Sequence, residues 1–381
     1  MYYDVVIAGG SIAGLLCARE VAKNGNSVLV LEEDYEIGTP EHCGGLISNT
    51  ALEELGIIPT RKIFDHYIES AEIFSPRGKK ISIESKKQKV AEVNRRELDK
   101  HVAHQAKKNG AEIRVNTSFK EIVGDEVNTS DGKIKCKILV DARGVSSLIS
   151  KDRTGILSSA QFEVYADWIK KENVEVYLDQ KKYPGFFAWI IPSANGIGKV
   201  GVAGRGINAS SALESFLKQR GGFSTIRKIF APIWIKGPIE RFVSKNIVIV
   251  GDAAGQSKPT TAGGIYSSGM GGILAGRAIS KYLMSENEKD LEEYQKLWLQ
   301  KFGNEFKKQL LARKILERLD NDSIDKLFES ITPKILNEIS NHDDFDFHTS
   351  SIIKLLGAIG SFKAAKIMIT SEMKNLLLGN P

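Results

Sequence analysis

The sequence has few cysteines and no long apolar run. Its 381 residues include only Cys17, Cys43 and Cys136, which show no CxxC spacing. This pattern excludes a disulfide framework and a cysteine-based zinc site, and it predicts an intracellular protein. No stretch of about 18 apolar residues predicts a membrane-spanning helix. The start, MYYDVVIAGG, also lacks the basic segment of a signal peptide.

A strong excess of one charge is also missing. Lysine and arginine number 53 and aspartate and glutamate 47, which gives a formal net charge of +6. Such a balance indicates no basic footprint for nucleic acid, and none is expected as a partner. The six histidines are scattered; His101 and His104 share a predicted helix but have no acidic or cysteine partners, so no metal site is predicted.

The N-terminal region has the pattern of one complete βαβ unit. An apolar strand spans residues 3–8, a glycine-rich turn follows, and a helix covers residues 12–24. Gly25 and Asn26 then turn the chain into a second apolar strand at 27–32. Unbroken apolar runs are typical of parallel strands buried on both faces. The pattern therefore predicts a Rossmann-type nucleotide-binding fold.

The pattern changes farther along the chain. Residues 36–60 are rich in Gly, Pro and Thr and are predicted to form a loop, whereas 155–240 show the period-2 alternation of antiparallel strands. From about residue 290 onward the sequence is charged and helical in character. The other predicted elements are a helix at 94–109, strands at 137–144 and 246–252, and a helix at about 271–284.

The first turn carries a variant of the GxGxxG pattern. Gly9 makes the tight turn and Gly14 allows close packing of helix and strand, while Ser11 replaces the second glycine. A serine hydroxyl can itself donate to a phosphate oxygen bound at the helix N-terminus. The predicted nucleotide contacts of this turn are Gly9, Ser11, Ala13 and Gly14.

An acidic residue ends the second strand. Glu32 follows Gly14 by 18 residues, where a carboxylate can accept hydrogen bonds from both ribose hydroxyls. The whole βαβ context makes this the predicted ribose contact. The unit predicts a bound dinucleotide but does not distinguish NAD from FAD.

A later segment, 247–265, reads IVIVGDAAGQSKPTTAGGI and resembles the second FAD motif of the p-hydroxybenzoate hydroxylase-like flavoproteins. In that superfamily the aspartate, here Asp252, binds the ribityl chain, and the glycines direct a helix N-terminus toward the flavin. Amide donors and the helix dipole there would stabilise an anionic reduced flavin. The implied cofactor contacts are Gly251, Asp252, Gly263, Gly264 and Ile265.

Two more segments resemble the same superfamily. Residues 140–147, VDARGVSS, are similar to its middle motif, whose aspartate, here Asp141, supports the FAD fold. Arg95, in NRRELD, lies where those proteins direct an arginine toward the cofactor. Three motifs in the correct order imply that FAD is the cofactor.

Within this superfamily the chain is identified as a member of the geranylgeranyl reductases, especially the archaeal enzymes that hydrogenate prenyl chains of ether lipids. Residues 183–192, YPGFFAWIIP, and the following Gly201-Val202-Ala203 resemble that family's (Y/F)xWxFPx₇₋₈GxG signature, which lines a lipid tunnel. Ile191 and Ala203 stand where Phe and Gly are usual. The implied substrate contacts are Phe187, Trp189, Pro192 and Gly201.

The same family carries Cys-Gly or Cys-Gly-Gly close to the isoalloxazine, and this chain has Cys43-Gly44-Gly45 after its second strand. The resemblance places Cys43 and Gly44 at the cofactor. Hydrogenating an isolated alkene requires a hydride and a proton in a dry site. Cys43 is therefore the predicted catalytic residue, either as a proton relay or by positioning the alkene. Cys17 and Cys136 are expected to be structural.

The implied activity is that of an FAD-dependent oxidoreductase acting on CH–CH bonds of a geranylgeranyl lipid or prenyl diphosphate, in isoprenoid or phospholipid biosynthesis. No second GxGxxG unit is evident, so an external donor, NAD(P)H or a ferredoxin-like carrier, is expected. The alternatives are an aromatic hydroxylase (monooxygenase), a halogenase and a non-enzymatic flavoprotein. The sequence FxWxIP resembles the halogenase motif WxWxIP, although no essential lysine can be placed.

The predicted fold class is α/β (α+β overall): a Rossmann-type FAD-binding domain, an inserted antiparallel β-sheet substrate domain and a helical C-terminal part. An amphipathic helix at 352–369 would pack over the tunnel or contact a membrane surface. A cytoplasmic protein is expected, with peripheral contact at the inner face of the cell membrane left open. The predicted boundaries are 1–150 (FAD-binding, first part), 151–240 (substrate), 241–285 (FAD-binding, second part) and 286–381 (helical).

Overall fold

A computed structural model of the chain describes residues 1–84, 86, 88–149, 152–342, 344–348 and 351. Three β-sheets and ten α-helices make up this described part. None of its helices is long and apolar enough to cross a membrane. The helix predicted at 352–369 lies outside the described residues.

The first sheet is the predicted nucleotide-binding sheet. Its strands are β1 (Tyr2–Ala8), β2 (Val28–Leu31), β8 (Glu112–Arg114), β9 (Phe119–Val123), β10 (Glu126–Thr129), β11 (Gly132–Asp141), β18 (Val243–Ser244) and β19 (Ile247–Ile249). They run in the order β18-β19-β11-β1-β2-β8, with β10 and β9 added beside β11. From β19 to β8 the strands are parallel. β2 is buried throughout, and the Rossmann-type prediction is confirmed.

The second sheet is built mainly from antiparallel strands, as predicted. They are β5 (Ser70–Phe74), β6 (Lys80–Glu84), β12 (Ile156–Tyr165), β13 (Asn173–Tyr177), β14 (Ala188–Ala194), β15 (Ile197–Gly204), β16 (Ser224–Phe230) and β17 (Ile233–Trp234). The order is β16-β12-β15-β14-β13-β5-β6, and β13 and β5 run parallel. Two of these strands therefore come from the sequence before residue 150. A third, small sheet contains β3 (Leu46–Ser48), β4 (Phe64–Ile68) and β7 (Val90–Val93).

Helices pack on both large sheets and form the C-terminal part. They are α1 (Ile12–Lys23), α2 (Asn49–Glu54), α3 (Arg95–Lys108), α4 (Ser146–Ile149), α5 (Ala209–Arg220), α6 (Ile265–Ser285), α7 (Lys289–Trp298), α8 (Asn304–Leu316), α9 (Asn321–Ser330) and α10 (Pro333–His342). The crossing of α1 and α6 is close, because a Cβ at Gly272 would collide with the Ala13 carbonyl oxygen. Cys17 in α1 and Cys136 in β11 are both buried.

The alternation of side chains gives the second sheet two different faces. The helix face packs against α5 and consists of Ala160, Phe162, Val164, Ala188, Ile190, Val200 and Val202. The loop face lies opposite and carries Gln161, Glu163, Trp189, Ile191 and Lys199. Gln161 and Trp189 both lie opposite Gly201 in the strand register, so they flank it on one face. The loop face is the side on which the sheet meets residues 41–45.

Several predicted elements differ from the structure in kind or extent. The strand predicted at 137–144 is the longer β11, Gly132–Asp141. Residues 36–60, predicted as a loop, contain β3 and α2. The Ser48 side chain accepts a hydrogen bond from Ala51 N and starts α2, a capping signal hidden in a Gly- and Thr-rich context. Helix α6 begins at Ile265 rather than at about 271. Its early glycines suggest a loop, but Gly269 and Gly272 pack closely against Leu16 and Ala13.

Candidate active site

The glycine-rich turn after β1 is sterically constrained. Gly9 has φ +114°, which favours glycine, and a side chain there would collide with the Ala142 carbonyl oxygen. A Cβ at Gly14 would collide with the carbonyl oxygen of Gly9. Both glycines of the predicted pattern are therefore required by packing, as the motif implies.

Ser11 lies at the N-terminus of α1 as the residue before the helix. Its backbone is extended, its side chain is exposed, and its hydroxyl makes no capping hydrogen bond within the described part of the chain. A helix start leaves unpaired N–H groups that attract anions. Ala13 in the first turn approaches the second motif, since a Cβ at Gly251 would lie 2.9 Å from its Cβ. The turn can therefore accept a phosphate next to the second predicted FAD segment.

Glu32 directly follows β2 and faces the same turn. One carboxylate oxygen accepts from Gly10 N at 2.8 Å, and the other accepts from Asp34 N at 3.0 Å. Burial raises the pKa of this carboxyl, and the two backbone donors partly oppose that effect. A carboxylate has about four acceptor positions, so capacity remains for ribose hydroxyls.

Asp141 ends β11 and has a supporting role in the fold. Its carboxylate accepts from Arg143 Nε at 2.9 Å and from the Ser147 hydroxyl at 3.0 Å. Burial alone would raise the pKa of Asp141, but Arg143 and Ser147 hold it below its ordinary value. These bonds fix the turn against which Gly9 packs.

Asp252 lies in a 3₁₀ turn of the second FAD segment, Gly251–Ala254, beside the N-terminus of α6. Its Oδ1 accepts from the Ser268 hydroxyl at 3.3 Å, and a Cβ at Gly264 would lie 3.1 Å from the same oxygen. Burial raises the pKa of Asp252, while Ser268 and the charge of Arg95 act in the opposite direction. The predicted residues Gly263, Gly264 and Ile265 thus lead directly into a helix whose N-terminus faces Asp252.

Arg95 connects this region to the cysteine loop. It begins α3, is 9% exposed, and its Nη2 donates to both oxygens of Asp99 at 2.9 Å. The guanidinium also lies close enough to the Cys43 thiol for the two groups to interact electrostatically. Its Nε is buried and has no partner among the described residues. One buried donor of Arg95 is therefore available to a bound group.

The Cys-Gly-Gly segment fits tightly against the second sheet. Gly45 N donates to the half-buried Cys43 sulfur at 3.4 Å. A Cβ at Gly44 would lie only 2.5 Å from Ile191 Cδ1 on the loop face. Gly45 has φ +86°, and a Cβ there would collide with the Val93 carbonyl oxygen. A side chain at either glycine would therefore displace the second sheet at Ile191 or the small sheet at Val93.

An aromatic wall adjoins this loop. Phe186 and Phe187 stack with ring centroids 4.1 Å apart, and Trp189 meets Phe187 edge to face at 6.1 Å. Phe187 and Trp189 pack in one apolar cluster with Ala262, next to Gly263. A Cβ at Gly201 would collide with the indole, so this glycine lets Trp189 lie across the sheet.

One predicted substrate residue lies elsewhere. Pro192 is three positions after Trp189 in β14, so the alternation of the strand directs it to the opposite face. Phe187, Trp189 and Gly201 are brought together beside the cysteine loop. Pro192 is not among them.

The sequence did not single out a buried ion cluster beneath the same loop. Lys199 Nζ contacts Glu41 at 2.6 Å and Glu92 at 2.9 Å, and all three residues are at most 7% exposed. Burial raises the pKa of Glu92 although Lys199 opposes it, and the two carboxylates raise the pKa of Lys199 against the effect of burial. A single lysine in the apolar strand IGKVGVAG was the available signal.

Known proteins are similar in sequence to most of this chain. A family model described as lycopene cyclase protein matches residues 4–166. Digeranylgeranylglycerophospholipid reductase of Methanocaldococcus jannaschii is 33% identical, with 86% of this chain and 90% of that protein covered. Digeranylgeranylglycerophospholipid reductase 2 of Methanothermobacter thermautotrophicus is 31% identical, with 89% and 94% covered.

A solved structure shares the fold. A geranylgeranyl bacteriochlorophyll reductase-like protein from Thermoplasma acidophilum superposes with a TM-score of 0.85 at 23% identity, covering 98% of this chain and 99% of that one. That likeness supports the fold, and the two reductase relatives show the family. The chain belongs to the digeranylgeranylglycerophospholipid reductase family, as its cysteine and tryptophan motifs predict.

Proposed function

We propose that the chain binds FAD and hydrogenates C=C bonds of geranylgeranyl chains in isoprenoid or ether-lipid precursors. The observation that carries this proposal is the family membership. The wall of Phe187 and Trp189 near the Cys-Gly-Gly loop supports it, because an apolar, aromatic site suits a prenyl chain.

The residues of the nucleotide region are compatible with FAD. The exposed Ser11 and the N-terminus of α1 would hold the pyrophosphate, and Glu32 would accept from the ribose. Asp252 and the start of α6 would face the ribityl chain and the flavin ring, with the buried Arg95 Nε as a further donor. The donors and acceptors of this region therefore match a molecule with a pyrophosphate, a ribose and a polyol chain.

When bound and reduced, FAD supplies a hydride to one alkene carbon. The chain's own residues must exclude bulk solvent, hold the alkene and supply a proton to the other carbon. Phe187 and Trp189 shield the alkene from bulk solvent, and their rings tolerate the positive charge that builds up on a protonated alkene. Cys43 precedes Gly44, which approaches Ile191 and Gln161 beside Trp189. From there its thiol can relay the proton or position the alkene.

The proposed partners follow from this chemistry. The substrate is a prenyl lipid or a prenyl diphosphate, and the electron donor is NAD(P)H or a ferredoxin-like carrier that docks near the flavin. A lipid substrate is also consistent with peripheral contact at the inner face of the cell membrane. No nucleic acid enters the proposal.

The decisive experiment is anaerobic. Dithionite-reduced, FAD-loaded protein is incubated with geranylgeranyl diphosphate and with digeranylgeranylglycerol phospholipid, and the products are weighed by mass spectrometry. A gain of two hydrogens per double bond is expected for at least one of them. No gain with either substrate, or turnover only when oxygen is admitted, would reject the proposal and favour a hydroxylase or halogenase.

Cys43 is tested separately with Cys43→Ala. Loss of proton relay should lower alkene reduction by about 100-fold while FAD remains bound, because general acids typically contribute that much. Cys136→Ala is the matched control, since that buried thiol lies in β11 and is expected to be structural. Full activity of Cys43→Ala would refute the assigned role.

A further inference from the structure

The side-chain amide of Gln161 is held in one orientation on the loop face. Gln161 lies in β12 and is 5% exposed. Its Oε1 accepts from Trp189 Nε1 at 3.2 Å. An indole nitrogen can only donate, so the oxygen of the amide must face Trp189 and the NH₂ group must face away from it.

The amide nitrogen itself lacks a partner. Gln161 Nε2 is buried and makes no hydrogen bond within the described ranges of the chain. Buried side-chain donors are nearly always paired in native proteins, because an unpaired one retains the full cost of losing water. The acceptor for Gln161 Nε2 is therefore expected to come from a group outside the described residues.

The surroundings restrict what that group is. Ile191 and Trp189, on the same face, offer the amide nitrogen no acceptor, and a Cβ at Gly44 would lie 4.0 Å from Gln161 Oε1. Gln161 thus lies at the Cys-Gly-Gly loop, beside the wall proposed to hold the prenyl chain. The reacting alkene has no oxygen or nitrogen to accept a hydrogen bond. A small polar acceptor is required, and water is the simplest one.

We infer that Gln161 Nε2 holds a water molecule that delivers the proton to the alkene; this inference rests on the proposed function. The π electron pair forms the new C–H bond as one O–H bond of the water breaks. The water regains a proton from the Cys43 S–H, and the thiolate remains beside Arg95 until solvent reprotonates it. Reduced FAD would supply the hydride that brings the electron pair for the other carbon, and it would be left oxidised.

Two substitutions separate this role from mere support of Trp189. Gln161→Met removes both the donor and the acceptor with little change in volume, and turnover should fall by about 100-fold with FAD content unchanged. Gln161→Glu keeps an acceptor for Trp189, but only its protonated form can hold the water by donation. Its turnover relative to the unsubstituted protein should therefore fall as the pH rises.

The other ionisable groups near residue 161 are present in both Gln161→Glu and the unsubstituted protein. Their effect on the pH dependence therefore cancels in the ratio of the two turnover rates. These groups are Glu163 on β12, Lys199 on β15, Arg227 on β16, and Glu41 and Cys43 on the loop. Turnover of Gln161→Met within twofold of that of the unsubstituted protein would overturn the inference. So would a ratio of Gln161→Glu turnover to unsubstituted turnover that does not change with pH. If the unsubstituted protein reduces none of the lipids, the proposed function fails instead.

A crystal structure of the FAD-loaded protein gives a readout independent of turnover. An ordered water within about 3.2 Å of Gln161 Nε2 is expected, and it should be missing in Gln161→Met. A flavin atom, a protein atom or no density at that position would contradict the water site, whatever the activity of the protein.

Discussion

Phe162 and Glu163 are neighbours in β12, yet their surroundings are opposite. Phe162 is 1% exposed and packs with the apolar residues of α5, whereas Glu163 pairs with Arg227 at 3.2 Å on the loop face. The same alternation places Val200 beside α5 and Lys199 in the buried ion cluster. One face of the sheet therefore provides the hydrophobic core, and the other carries the polar groups beside the proposed active site.

The comparison shows how function is added to a stable sheet. Apolar burial on the helix face stabilises the domain in proportion to the area removed from water. Buried ion pairs contribute little net stability, because desolvation offsets their attraction. The loop face nevertheless carries the buried cluster of Lys199, Glu41 and Glu92 near the cysteine loop. Stability alone therefore does not explain why these charged residues are present. Substitutions on the helix face should accordingly lower mainly the free energy of unfolding, whereas substitutions on the loop face should also affect turnover.

The largest loss of stability is expected on the helix face. Phe162→Ala should lower the free energy of unfolding by about 3–5 kcal/mol, because it leaves a cavity in the core against α5. Urea unfolding measures this loss. Turnover of the protein that remains folded and FAD-loaded should be unchanged. Ile226→Ala, at a position that is 52% exposed, is the control and should cost less than about 1 kcal/mol. A clear fall in the turnover of folded, FAD-loaded Phe162→Ala would contradict the view that the helix face serves stability alone.

On the loop face, Lys199→Met should lower the free energy of unfolding by about 3 kcal/mol, because it leaves Glu41 and Glu92 buried without their shared cation. Lys228→Met removes a lysine from the same sheet whose side chain is 48% exposed, and it should cost less than about 1 kcal/mol. Urea unfolding of both variants measures the two losses in the free energy of unfolding. Equal losses would mean that the buried cluster contributes no more than a surface pair.

Gly201→Ala should affect turnover and stability together. The new methyl group would collide with the Trp189 indole and displace the aromatic wall. Overpacking of this kind costs about 2 kcal/mol, and a displaced wall should lower alkene reduction by about tenfold. Gly222→Ala is the matched control, because an added Cβ there meets no described atom within 4 Å. Unchanged turnover in Gly201→Ala would show that the indole position is unimportant for the reaction.

The smallest expected effect is the contribution of Glu92 to the pH dependence of the free energy of unfolding. Because burial raises the pKa of Glu92, the native state retains this proton at pH values where the unfolded chain has lost it. Glu92 therefore stabilises the protein below its unfolded pKa, and this contribution is lost as the pH rises toward the native pKa. The slope is at most about 1.4 kcal/mol per pH unit. The free energy of unfolding should fall with pH more steeply in the unsubstituted protein than in Glu92→Gln, and equal slopes in urea titrations from pH 4 to 8 would contradict this assignment.

The nucleotide region was predictable because its chemistry is local. Gly9, Ser11 and Gly14 act within one turn, and Glu32 follows the next strand, so sequence spacing alone implies their proximity. The Cys43-Gly44-Gly45 and Trp189 motifs were recognisable for the same reason. The hidden start of α2 and the early start of α6 were missed, because glycine-rich sequence indicates a loop unless its packing partners are known.

By itself, the sequence determined the Rossmann-type unit, the order of the FAD-like motifs and the family, since each depends on short runs of neighbouring residues. Only the tertiary structure decided that Lys199, Glu41 and Glu92 form one buried cluster. It also decided that Gln161 meets Trp189 while its amide nitrogen has no partner among the described residues. These residues are distant in sequence, and nothing in their local pattern encodes the contact. Strand pairing and the close approach of Gly44 and Gly45 to the second sheet bring them together.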